Sequence, residues 1–123
     1  MRKIVLGGCA ALVLASTLCS AEERSFTVAN IEYQGTKAFI PSTIVVNQGD
    51  RVKVKVLNNV PGDPNQHGFA IPDFKIEKVV TRGEAQEIEF TADREGLFPI
   101  KCHLHPAHLG GQLLVLPASG AAK

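Results

Sequence analysis

Hydrophobic and polar positions alternate most cleanly in RVKVKVLN, residues 51–58, where Val52, Val54 and Val56 take one phase and Lys53 and Lys55 the other. A period of two is the pattern of a strand with one face buried and one face in water. Shorter runs that read as strands follow the same spacing at Ser25–Glu32, Ser42–Asn47, Gly68–Ile71, Ile76–Val80, Ala85–Thr91, Leu97–Cys102 and Gln112–Leu116. Clusters of turn-forming residues separate them: NQGD, NVPGDPNQ, TRGE and ADREG. No stretch of ten or more residues carries a helical period, and the only compositionally simple segment is the terminal ASGAAK. About eight short strands in roughly 95 residues predict an all-β Greek-key sandwich or barrel. Pro99 interrupts one of the runs, GLFPIKC. Proline cannot donate to a ladder, so that run is expected to be an edge strand, with the Pro99 nitrogen off the sheet or at a bulge.

The beginning of the chain departs from this pattern. Arg2 and Lys3 precede an apolar run from Ile4 to about Leu18, followed by Cys19, Ser20 and Ala21 and then the charged Glu22–Arg24. This is the layout of a secretory leader cleaved after Ala21, and the run is shorter than the ~18 residues a membrane-crossing helix needs. The expected organisation is a leader at 1–21, one domain at 22–117 and a short tail at 118–123, in a periplasmic or secreted protein with no membrane span in its mature form. After cleavage 102 of the 123 residues remain, enough for one core, with 11 basic residues scattered among 12 acidic ones. No basic cluster is present to attract nucleic acid. Cys9, Cys19 and Met1 depart with the leader, which leaves Cys102 as the sole thiol and no thioether. An internal disulfide is therefore excluded.

Chemistry concentrates in KCHLHPAHLGG, where Cys102, His103, His105 and His108 fall within seven positions. Cys102 ends a predicted strand, and Pro106, Gly110 and Gly111 suit a loop tight enough to bring Cys102, His105 and His108 to one ion. The remaining histidine, His67 in PNQHGFAIP, leads another predicted strand and is the natural fourth donor from across the sandwich. One thiolate with two or three imidazoles matches the His₂Cys copper set, whereas structural zinc usually draws on paired cysteines. Copper is the expected metal, one per chain, with zinc as the alternative. His103, next to Cys102 on an extended segment, is expected to point to the opposite side, facing solvent or tuning the site.

Taken together, IVVNQGDRVKVKVLN, the His67 of HGFAIP, FTADREGLFPIKC and the C-x-x-H loop resemble the cupredoxin family over most of residues 26–116. The resemblance implies a mononuclear copper site at His67, Cys102, His105 and His108. Short-loop blue members carry methionine where this chain has His108. The nearest likeness is to the red copper, nitrosocyanin-like members, which have a glutamate where this chain has His67 and a longer loop. A third imidazole in place of a thioether is expected to weaken the copper–thiolate bond and favour Cu(II), lowering the potential. If His108 turns away, Gln66, Gln112 or water is left to fill the axial position. The expected function is one-electron transfer with a redox partner such as a cytochrome or copper oxidoreductase, docked on an apolar collar of Pro106, Ala107 and Leu109. The alternatives are chemistry or sensing of a nitrogen oxide or reactive oxygen species, and copper trafficking.

Overall fold

The computed structural model describes residues 21–118, so Met1, Cys9, Cys19 and nearly all of the expected leader and tail lie outside the described residues. Among the described residues there are nine strands: β1 Glu23–Tyr33, β2 Thr36–Ile40, β3 Thr43–Asn47, β4 Arg51–Asn58, β5 Gln66–Ile71, β6 Ile76–Thr81, β7 Gln86–Thr91, β8 Gly96–Ile100 and β9 Gly111–Leu116. A single 3-10 turn, Pro72–Phe74, joins β5 to β6. Eight strands sit where the alternation predicts them. The ninth, β2, was not anticipated, because TKAFI is short, shows no clean alternation and is closed at once by Pro41.

The alternating run became β4, an inner strand of the sheet ordered β2-β1-β4-β7. Val52, Val54 and Val56 are at most 1% exposed, while Lys53 and Lys55 point to water. A second sheet is ordered β3-β9-β8, and the β5-β6 hairpin joins its edge through Ala70 and Lys101, which exchange backbone hydrogen bonds of 2.8 and 2.9 Å. β1 runs parallel to β4 and β3 parallel to β9, so neither pair can be a hairpin, and the chain must cross between sheets. That crossing gives the sandwich its Greek-key character. Phe69, Ile71, Val80, Ile44, Val46, Leu113 and Val115 meet the β4 valines in one core. Pro99 pairs with Gln112 on β8, the outer strand of the three-stranded order, which accommodates a residue with no N–H to donate. β8 ends at Ile100, two residues before Cys102, so the thiol is carried by the first residues of the loop rather than by the strand itself.

The inward and outward phases of β9 should differ sharply in energy. Leu113 is fully buried and Leu116 is 41% exposed. Leu113→Ala is expected to cost about 2–5 kcal/mol of unfolding free energy, and Leu116→Ala less than about 1 kcal/mol. Urea unfolding of both variants checks the register of β9; equal losses would contradict it.

Candidate metal centre

Three segments converge at one end of the sandwich. β5 begins with Gln66 and turns His67 inward, where its ring is 0% exposed. The segment after β8 delivers Cys102, 6% exposed, and the turn that follows folds His105 back over it. The His108 N–H donates to the His105 carbonyl at 3.1 Å, closing the loop as Pro106 suggested. The His67, Cys102 and His105 ligand atoms all lie within 4.8 Å of one another. Cys102 Sγ is 3.5 Å from His105 Nδ1, and the rings of His67 and His105 are 4.4 Å apart.

Gly68 adds a contact that the sequence reading did not include. Its backbone N–H donates to Cys102 Sγ at 3.1 Å, which fixes where the sulfur lies. A glycine inside a strand is a signal of close approach, and here the reason is visible: a β-carbon at position 68 would overlap the ring of His103. His103 is not among the grouped donors. It is not solvent-facing, however, because its side chain is 15% exposed, packed over Gly68, with Nε2 3.6 Å from Glu77 Oε1.

The structure does not bring His108 into the same group. Its ring is buried beside His67 at 5.8 Å, but Nε2 lies 2.8 Å from Asn30 Oδ1 and Nδ1 lies 2.8 Å from the Leu109 carbonyl oxygen. Gln66 and Gln112, the alternative axial donors, are both exposed, with their amide groups donating to Thr81 and Thr43.

His67 tests whether this cluster fits a metal. Both of its ring nitrogens are buried without a hydrogen-bond partner among the described residues. A buried polar group left unpaired costs about 1–3 kcal/mol, so a site that keeps one has another use for it. A metal accepts the lone pair of a neutral imidazole. Burial lowers the His67 pKa to about 4, helped by the nearby His105, His108 and Lys37 and opposed by Glu32. Burial also lowers that of His108, against the hydrogen bond to Leu109. His67 is thus a neutral imidazole at ordinary pH, the state in which an imidazole ligates.

With this geometry in view, the sequence model of the cupredoxin-like domain family matches residues 7–115. The chain belongs to the cupredoxin-like domain family. Its fold is shared with a copper nitrite reductase from Nitrosomonas europaea, 20% identical with a TM-score of 0.68 over 83% of this chain and 44% of that one. A Cu-containing nitrite reductase from Thermus scotoductus SA-01 is 25% identical, with a TM-score of 0.64 over 81% of this chain and 29% of that one. A blue copper oxidase from Nitrosomonas europaea is 19% identical, with a TM-score of 0.64 over 80% of this chain and 40% of that one. This chain therefore spans less than half the length of each. No curated protein matches it.

The lowered imidazole pKa values set a pH dependence for the metal-free cupredoxin. Unfolded His67 has the ordinary pKa of 6.5 and folded His67 about 4, so between these values the unfolded chain binds more protons. Stability should then fall as pH drops from about 6.5 toward 5, by up to about 1.4 kcal/mol per pH unit for each proton taken up. Urea midpoints across that range measure it. His67→Gln should flatten the curve; a midpoint that rises on acidification would contradict the assignment.

Proposed function

We propose that this cupredoxin is a mononuclear copper protein that transfers single electrons, exported to the periplasm or cell exterior after removal of residues 1–21, with residues 22–117 as the copper domain. The ligands assigned are His67, Cys102 and His105; His108, the remaining expected donor, stands beside them. Copper bound here supplies a one-electron Cu(II)/Cu(I) couple. Thiolate with imidazole favours copper over zinc, the alternative metal.

The observation that carries this reading is the graded exposure of the donors. His67 and Cys102 are buried, and His105 alone of the three is half-buried, at the mouth of the loop. Leu104 and Leu109 in that loop are 40 and 56% exposed. Such a surface excludes water from a contact without large desolvation of charge, and suits a brief encounter with a redox partner. His67 is fixed on β5 and the loop of His105 is closed by the His108 N–H, an arrangement that suits a site whose charge changes with little rearrangement.

Chemistry on a small molecule would require room at the cluster. Two surface clefts of about 430 and 470 Å³ lie against β1, β4 and β7 and against β1 and β3, and none of their lining residues belongs to the cluster. These two clefts are therefore not where nitrogen oxide or oxygen chemistry, the alternatives, would take place, and the carrier is preferred on the exposure of the donors.

Two experiments test the proposal. Mature protein should take up one copper per chain and show thiolate-to-copper absorption that Cys102→Ser abolishes while the far-ultraviolet circular dichroism stays that of a β protein. Bands that survive Cys102→Ser would sink the ligand assignment. The copper form should exchange electrons with a cytochrome and show no spectral change with nitric oxide, azide or peroxide. Turnover accompanied by shifts on adding those molecules would move the function to an enzyme.

A further inference from the structure

Asn30 is 0% exposed and sits at an inward position of β1, in phase with Val28. An amide at such a position must find a partner, because an unpaired one costs about 1–3 kcal/mol. Its partner is His108. Asn30 Oδ1 lies 2.8 Å from His108 Nε2, while Asn30 Nδ2 reaches the Leu57 carbonyl at 3.5 Å. Directly across the hairpin from Asn30 is Phe39, whose ring lies 4.5 Å from that of His108. The Leu109 N–H donates to the Lys37 carbonyl at 2.9 Å, and the Leu109 carbonyl faces His108 Nδ1. The β1–β2 hairpin thus holds His108 on its ring face, at Nε2 and through the Leu109 N–H, while Nδ1 meets the carbonyl of Leu109 in its own loop.

A neutral imidazole carries one N–H, so only two proton placements exist. In one, Nδ1–H donates to the Leu109 carbonyl and the Asn30 amide, turned over so that Nδ2 faces the ring, donates to Nε2. In the other, Nε2–H donates to Asn30 Oδ1 and the Nδ1 lone pair faces the Leu109 carbonyl oxygen at 2.8 Å, acceptor against acceptor, which disfavours this placement and leaves an ion no room on that side. Neither leaves a free lone pair for an ion, and the group within ligand distance contains His67, Cys102 and His105 without His108.

We propose that Asn30 is a positioning residue that holds His108 out of the copper ligand set, so that the potential of the centre is set by His67, Cys102 and His105. This rests on the copper reading above. It reverses the expectation for the potential that followed from counting His108 as a ligand. A third nitrogen donor would stabilise Cu(II) more than Cu(I), and withholding it keeps the potential high. Removing the amide should free the ring, leave its Nε2 unpaired in an apolar wall, and drive it onto the metal.

The test is a double-variant cycle read by reduction potential and by electron paramagnetic resonance. Asn30→Leu should raise the affinity for Cu(II) relative to Cu(I) at least tenfold, a fall of about 59 mV for a one-electron couple. His108→Leu alone should change that ratio less than twofold, and in Asn30→Leu/His108→Leu the fall should vanish. An unchanged potential in Asn30→Leu, or a tenfold change in His108→Leu alone, overturns the proposal. A measurement on the unaltered protein stands independently of how the variants fold. Nitrogen-15 spectra of the metal-free and Cu(I)-loaded protein should show the imidazole resonances of His67 and His105 moving on loading while those of His108 stay in place. Movement of all three rings overturns this inference and leaves the copper reading intact, whereas failure to take up copper at all overturns both.

Discussion

An imidazole with both nitrogens buried and unpaired is the constraint around which this molecule is arranged. His67 can be held so only because β5 is fixed on both sides, by β6 through a full antiparallel register and by the Ala70–Lys101 bridge at the end of β8. That same bridge places the next residue, Cys102, against the Gly68 N–H. One strand pairing therefore sets both the buried imidazole and the thiol. The core stabilises the frame, and the frame sustains a polar cost at one end that a metal would relieve. The loop after Cys102 needs only to fold back one turn to bring in His105.

The opposite wall of the site comes from the β1–β2 hairpin. It contributes no residue to the ligand cluster, yet Asn30, Phe39 and the Lys37 carbonyl determine where His108 and Leu109 lie. Lys37 and Glu32, paired across the hairpin with 3.6 Å between charged atoms, also act in opposite directions on the protonation of His67. The hairpin is thus the part of the fold through which the properties of the centre can be changed without touching a donor.

Most of the fold was legible in the alternation of side chains, because β4 and its neighbours each bury one face and wet the other. β2 escaped since its five residues, TKAFI, show no clean alternation before Pro41 closes them. The grouping of His67, Cys102 and His105 could be reasoned from residue type and spacing, which are local properties of the loop and of one strand start. The position of His108 could not, because its Nε2 is claimed by Asn30, 78 residues away. A signal was nevertheless present: Asn30 is a polar residue in the apolar phase of FTVAN, and such a residue needs a buried partner. Gly68 directly after His67 was a similar sign of close approach.

The central claim is that one buried thiolate and two imidazoles form the metal site at this end of the sandwich. X-ray absorption at the copper K-edge of the copper-loaded protein reads the donors directly, whatever the colour or potential of the centre. The account predicts one sulfur and two imidazole nitrogens as near neighbours, with the sulfur lost in Cys102→Ser. Copper surrounded by nitrogen and oxygen alone, with no sulfur shell, would contradict it.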